Sequence, residues 1–348
     1  MRVGPARRPA VWFPAIRAGT GVDVYTTRLI EALQGRGIRA EATWLPPRAE
    51  YLPWSVPIPE SPPWANMVHV NTWMHRRFIP PHLPVVAAIH LCVHDPSFSK
   101  YRSMAQGIYH RHWIKRMEAK SMERARKVVA VSAHTAETAR QVFDLPDVHV
   151  IHNGVPVPAA GERANEPRLP GPLRMLYVGN WSARKGVDLL GPIARELGPD
   201  FELWYTADAH GAHLSAELPA NSKCVGRLTY PQLQATYRSV DALLFPTRLE
   251  GFGLVVAEAM MCGLPVVATR SAVISEIVEH GVTGLLCEQD NVGEFVAAIR
   301  SLAANPELRA DMAEAGSVQA RQRFGLGRMV DHYLNLYESI LSIDTRDP

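Results

Sequence analysis

The chain has 348 residues, 47% hydrophobic and 20% charged, with a formal net charge of +3. That length favours two domains over one, and the composition supplies apolar material for two cores. The weak positive balance excludes a dedicated nucleic-acid binder, and no apolar run reaches the roughly 20 residues of a membrane-spanning helix.

Ala10 to Ile16 reads as a first strand. It follows a basic start (Arg2, Arg7, Arg8) and is too short, and too broken by Pro14, for a signal peptide, so the expected location is cytoplasmic. The turn Arg17 to Gly21 leads into a helical pattern, Val22 to Gly35, with Val24, Leu29, Ile30 and Leu33 along its apolar face. Ile38 to Trp44 is the next strand, which completes a βαβ unit. Gly19 and Gly21 suggest a dinucleotide loop, but Val24 stands where the third glycine of that fingerprint belongs, which weakens a dehydrogenase reading.

Pro46 to Pro63 is proline-rich and reads as an extended surface segment. Met67 to Val70 and Val85 to Ile89 are short buried strands. His69 lies within the first of these, His90 directly follows the second, and His94-Asp95 comes shortly after. A histidine just past a parallel strand borders the ligand edge of the sheet.

Tyr101 to Lys127 reads as one long helical region. Seven Lys and Arg fall between Arg111 and Lys127 against Glu118 and Glu123. A solvated face is the plainer reading; the sharper one, prompted by Trp113, Ile114 and Met117, is a surface that meets a pyrophosphate-linked acceptor or anionic membrane lipid, as a peripheral contact at the inner face. Val128 to Val131 is a strand, and Ser132 is an N-cap for a helix through Val142. Pro156, Pro158, Pro167, Pro170 and Pro172 then mark a linker.

The alternation restarts with a strand at Leu173 to Val178, a loop G-N-W-S-A-R-K-G at Gly179 to Gly186, and a helix at Val187 to Leu197. Arg184 and Lys185, after a strand and before a helix, suit an anion such as a diphosphate. Glu202 to Tyr205 is a strand, and Pro231 to Arg238 a helix. Ala242 to Phe245 is a buried strand that stops at Pro246. It is followed by a loop with Glu250 between Arg248 and Gly251, a helix from Leu254 carrying Glu258, a stop at Gly263 and a strand at Leu264 to Ala268. Such a loop and helix start lie at the carboxyl edge of an open α/β sheet, where ligands bind. A carboxylate there points to hydrogen bonds with hydroxyls. Gly281 to Leu286 is a further strand. Helices follow at Val292 to Ala303, Pro306 to Phe324 and Met329 to Leu341. Cys92, Cys224, Cys262 and Cys287 have no metal-ligand spacing and read as buried thiols of a reducing compartment.

Pro246, Glu250, Gly251, Phe252, Gly253, Glu258, Ala259, Gly263, Pro265 and Val266 together resemble the donor-site signature of the family 4 retaining glycosyltransferases, which have the GT-B fold. The resemblance implies two Rossmann-like α/β domains facing a cleft: 1–158 on the acceptor side, a linker at 159–172, and 173–324 binding a nucleotide sugar. The last helix, within 325–348, would cross back onto the first domain.

The implied activity is transfer of a hexose-type sugar from a nucleotide diphosphate sugar, GDP-mannose or a UDP-sugar, to an acceptor hydroxyl. Polysaccharide, lipopolysaccharide or glycolipid assembly would be the setting, with a glycan or lipid-linked acceptor. No cofactor and no metal are implied, as no Asp-x-Asp motif stands in a suitable loop. By resemblance Glu250 contacts the donor sugar and Glu258 the ribose. Lys185 and Arg184, with the helix start at Gly251 to Leu254, hold the diphosphate, and Gly226-Arg227 lies along the base. Gly19 and Gly21 face the donor phosphate, and His90 or His94 orients sugar or acceptor. Asn180 stands where the family commonly has an arginine. A GT-B epimerase and a non-catalytic nucleotide-sugar-binding subunit are the alternatives.

Overall fold

Short apolar runs become parallel strands wherever helices can cover both faces of the sheet they build. The computed structural model describes residues 8–158, 171–207 and 218–344. The chain divides into two compact units, Met1–Gly154 with Leu326–Pro348, and Val155–Gly325. Most of the linker expected over 159–172 lies outside the described residues.

The first unit holds β1 (Ala10–Ile16), β2 (Arg39–Leu45), β3 (Met67–Asn71), β4 (Val85–Ile89), β5 (Lys127–Ala130) and β6 (His149–Val150). They form one parallel sheet in the order β2-β1-β3-β4-β5-β6. Successive side chains point to opposite faces. Val11 and Phe13 therefore join one core, with Tyr25, Leu29 and Leu33 of the Gly21–Gly35 helix, and Trp12 joins another with Val68, Val70 and Phe78. The first core is completed by the Leu326–Asp344 helix through Val330, Tyr333 and Tyr337. Its two tyrosines meet polar partners: Tyr25 Oη donates to Tyr333 Oη at 2.6 Å, and Tyr337 Oη pairs with His69 Nδ1 at 2.6 Å. The last helix thus packs onto the first unit, as the resemblance implied.

The second unit holds β7 (Leu173–Tyr177), β8 (Phe201–Tyr205), β9 (Ser222–Cys224), β10 (Ala242–Phe245), β11 (Val266–Thr269) and β12 (Gly284–Cys287). Their parallel order is β12-β11-β10-β7-β8-β9. The direction of winding reverses between β7 and β10, which puts the loops leaving these two strands at the switch point where open α/β sheets bind ligands. Helix Val187–Leu197 covers one face with Leu190 and Ile193. Helices Leu254–Met261 and Pro306–Phe324 pack closely where Gly316 faces Met260.

Several expectations change. The single helix over Tyr101 to Lys127 is broken into a 3-10 turn (Pro96–Tyr101), a helix (Met104–Tyr109), a π-helical turn (His110–Ile114) and a helix (Lys115–Glu123). Ser103 starts the first helix with a capping box, and the π turn shifts the register before the second. The segment after Pro46 is not simply extended: it contains a helical turn at Arg48–Tyr51 and a 3-10 turn at Pro53–Ser55, with Ala49, Pro53 and Val56 buried. β9 was not expected, because S-K-C is too polar to read as a strand. Cys92 and Cys287 are buried, whereas Cys224 is exposed and Cys262 partly exposed.

His69 makes the first unit sensitive to acid. Burial, aided by His90, lowers its pKa from 6.5 to about 3. As pH falls through that window the unfolded chain takes up the proton first, so stability is full above about 6.5 and declines below it. The expected contribution lost by pH 5 is about 2 kcal/mol. Urea denaturation across pH 7 to 5 should show this slope, and His69→Gln should reduce it while leaving the share of His90, which burial lowers to about 4.

Candidate functional site

The loops that follow β7 and β10 are stitched together at backbone level. Ala183–Lys185 forms a 3-10 turn that ends at Gly186 with φ +68°. A Cβ on Gly186 would stand 2.0 Å from the Pro246 carbonyl oxygen, so only glycine lets the loops approach this closely. The Arg248 N–H donates to Arg184 O at 2.9 Å, and Arg184 Nη1 donates to Leu249 O at 2.8 Å.

The Arg248 side chain locks this arrangement. It reaches Asp188 with two parallel bonds of 2.7 Å each and Asp290 through Nε at 2.6 Å, and it donates to the Ala183 carbonyl. The arginine is 6% exposed. Its pKa is raised, chiefly by the hydrogen bonds to Asp188, and Asp188 is in turn held below the usual carboxylate range by Arg248.

Lys185 and Glu250 meet on this frame. Lys185 Nζ donates to Glu250 Oε1, Thr247 Oγ1 donates to the same oxygen at 2.8 Å, and Arg184 Nη1 stands 3.9 Å away. The two side chains are 14% and 10% exposed. Burial lowers the Lys185 pKa, outweighing the attraction of Glu250. Burial works to raise Glu250, but Lys185 and then Arg184 outweigh it and hold the carboxylate ionised. Two cations therefore face one carboxylate, which leaves a positive excess. Among the described residues Glu250 Oε2 makes no hydrogen bond.

Beside this cluster the Leu254–Met261 helix begins at Gly253, φ +96°, with no side chain capping its first N–H groups. A Cβ on Gly253 would lie 2.9 Å from Ile274 Cδ1. An uncapped helix start adds fixed positive character. Glu258 is buried one turn further on, where Tyr237 Oη donates to its Oε2 at 3.4 Å. Gly226, φ +71°, and the exposed Arg227 lie beyond β9, two strands from β7, and no hydrogen bond links them to the Lys185–Glu250 pair. Glu250, Gly251, Phe252, Gly253, Leu254 and Lys185 are thus gathered at one sheet edge.

In the first unit, Gly19 adopts φ +68°, and Gly21 opens the helix. The N–H groups of Ala18 and Gly19 donate to the Asp23 carboxylate at 3.2 and 2.8 Å. Of the two glycines that the resemblance places at a phosphate, Gly19 therefore has its N–H held by Asp23, in the first turn of the helix. The two candidate histidines differ. His94 is spent on Glu118, 2.8 Å from its Nε2; Glu118 is fully buried and also accepts from Thr72 Oγ1 and Trp73 Nε1, each at 3.0 Å. Asp95 pairs with His134 at 2.8 Å. His90 stands at the end of β4, its ring 4.4 Å from Tyr25, and burial lowers its pKa to about 4.

Sequence reasoning missed Arg248, Thr247, Asp188, Asp290 and Asp23. Thr247 and Asp23 had a local signal, a polar side chain three or four residues from its partner. Arg248 had none, since Asp188 and Asp290 lie 60 and 42 residues away. Among the described residues no group of three or more His, Cys, Asp or Glu could hold a metal ion. No described helix is long and apolar enough to cross a membrane.

Two parallel α/β units, each with its ligand edge at the strand carboxyl ends, define the GT-B architecture. Solved structures share it. Sucrose-phosphate synthase from Thermosynechococcus elongatus aligns with a TM-score of 0.78 at 18% identity, over 97% of this chain and 100% of that one. Anabaena Alr3699/HepE, solved in complex with UDP and glucose, aligns at 0.72 and 18%, over 96% and 100%.

Two family models match: Glycosyltransferase Family 4 over residues 64–157, and Glycosyl transferases group 1 over residues 161–319. The chain belongs to the family 4 glycosyltransferases. A D-inositol 3-phosphate glycosyltransferase of Pseudarthrobacter chlorophenolicus is 31% identical over 190 residues, 49% of this chain and 43% of that protein. A glycogen synthase of Mycobacterium tuberculosis is 28% identical over 277 residues, 74% and 64%. The chain spans about half the length of the first curated relatives it matches, from 43% to 57%.

The Arg248 lock has a measurable weight. Arg248→Leu should lower stability by about 1–3 kcal/mol in urea denaturation, since Asp188, Asp290 and the Ala183 carbonyl all lose the charged donor that joins them. Arg248→Lys should recover less than half of that, because an ammonium cannot reproduce the bidentate bond. Unchanged stability in Arg248→Leu would show that the lock carries no weight.

Proposed function

We propose that the chain transfers a hexose-type sugar from a nucleotide diphosphate sugar, a UDP-sugar or GDP-mannose, to an acceptor hydroxyl, with retention at the anomeric carbon. The observation that carries this reading is the Glu250–Lys185–Thr247 cluster beside the uncapped start of the Leu254–Met261 helix. The bond from the anomeric carbon to the diphosphate breaks and a bond to the acceptor oxygen forms. The acceptor proton passes to the departing diphosphate. Negative charge grows on that leaving group. Lys185, Arg184 and the helix N–H groups stabilise it in a site of low exposure, where such interactions are strong.

Glu250 Oε2 accepts from a donor sugar hydroxyl, and Oε1 keeps Lys185 and Thr247 in place. Glu258 serves the ribose hydroxyls in place of its long contact with Tyr237. His90 is the better candidate for orienting sugar or acceptor, because His94 is committed to Glu118. The UDP complex of the HepE protein supports trying UDP-sugars first. No resident cofactor enters this scheme; the nucleotide sugar is a co-substrate. Glycan or glycolipid assembly supplies the acceptor.

A thermal-shift screen of UDP-, GDP- and ADP-sugars should show one nucleotide raising the melting temperature above the others. With that donor, Lys185→Ala and Glu250→Ala should each reduce turnover by about 10²–10³ while the circular dichroism spectrum stays unchanged. Turnover like that of the native chain in either variant would refute the site.

A further inference from the structure

Among the described residues, all six exposed apolar side chains larger than valine fall in two segments: Tyr51, Leu52, Trp54 and Ile58, and Met104 and Ile108. Fifty residues apart in sequence, the segments meet in the first unit. Tyr109 Oη donates to Glu50 Oε1 at 3.1 Å, Trp113 Nε1 donates to Glu50 O at 2.9 Å, and the Trp54 and Trp113 rings lie 5.9 Å apart. One such side chain alone would be ordinary. A joined set with Met104 at 85% and Trp54 at 67% exposure marks an interaction surface.

The Met104–Tyr109 helix sharpens the case. None of its residues is fully buried; beyond the capping box, Tyr109 at its end is what ties it to the fold. Met104 and Ile108, four apart, share one outward face. The π turn at His110–Ile114 then changes register, and Ile114, Met117 and Met122 point inward in the next stretch. Of the residues that suggested a membrane contact from sequence, Ile114 and Met117 are therefore core and Trp113 is half-buried against them, and the exposed apolar face lies earlier, at Met104 and Ile108.

Charge indicates what covers it. An open cavity of about 300 Å³ beside Met104 and Ile108 is lined by Arg102, Arg111 and His112, and Lys115, Arg116 and Lys120 are exposed along the following helix. Over the same stretch Glu118 is fully buried, which leaves Glu123 as the exposed acid. Burial also raises the Glu50 pKa under the patch, and Tyr109 only partly opposes it.

We infer that this surface docks on an anionic phospholipid bilayer. Met104, Ile108 and Leu52 enter the acyl boundary, Trp54 and Tyr51 sit at headgroup depth, and the arginines and lysines meet lipid phosphates. The surface belongs to the first unit alone and is independent of the donor chemistry above.

Flotation tests it, with vesicles of phosphatidylcholine alone and of phosphatidylcholine containing phosphatidylglycerol. The chain should float with the anionic vesicles and stay down with the neutral ones. Met104→Ser combined with Ile108→Ser should cut binding at least about tenfold, and Arg111→Glu should weaken it and make its salt dependence shallower. These positions are exposed, so circular dichroism should be unchanged, and Val318→Ser should bind as the native chain does. Absence of flotation at low salt, equal binding to neutral vesicles, or full binding by the double variant would overturn the inference. So would a concentration-dependent dimer abolished by the double variant, since that would make the patch a contact between copies of the chain.

Discussion

An ammonium and a carboxylate buried together have to satisfy one another, and everything around Lys185 and Glu250 serves that requirement. Each loses water by being only 14% or 10% exposed, and each offsets the other's loss. The pairing demands that the loops beyond β7 and β10 stay in fixed register. Gly186 gives them room against Pro246, backbone bonds join them, and Arg248 holds the turn from below through Asp188 and Asp290. Under the proposed reading, the cations that would face a diphosphate are already oriented, so little would have to reorganise as charge develops.

The first unit shows the same economy with other residues. Glu118 collects Thr72 and Trp73 from the end of β3 and His94 from the loop after β4. One buried carboxylate thereby fixes two loops at the ligand edge of that sheet. His90, between them in sequence, keeps a ring packed on Tyr25, and burial favours its neutral form. Asp23 occupies the amides of the Gly19 loop, so that helix start carries its own anion.

Much of this was legible in the sequence, and the reason is local. Apolar runs bounded by glycine and proline mark buried parallel strands, and ten of the twelve lie where such a run or part of one stands in the sequence analysis. The signature from Pro246 to Val266 was equally readable, because it lies within one continuous strand-loop-helix-strand stretch. What escaped depends on partners far along the chain or on register. Arg248 gains its role from Asp188 and Asp290, 60 and 42 residues off. The π turn has no compositional mark, yet it decides which apolar residues between 104 and 117 face inward. β9 is a strand because β8 offers it an edge, and its own S-K-C sequence gives no hint.

The helix Leu326–Asp344 comes last in the chain, yet it closes the core that β1 begins: Tyr333 and Tyr337 satisfy Tyr25 and His69, some 308 and 268 residues earlier. During synthesis the first unit is therefore left with an open apolar face and two unmatched polar side chains until nearly the whole described chain has left the ribosome. The second unit has no such debt, since its strands and covering helices lie in one continuous stretch. The order of emergence and the order of completion are then inverted, and the half made first is the half that waits.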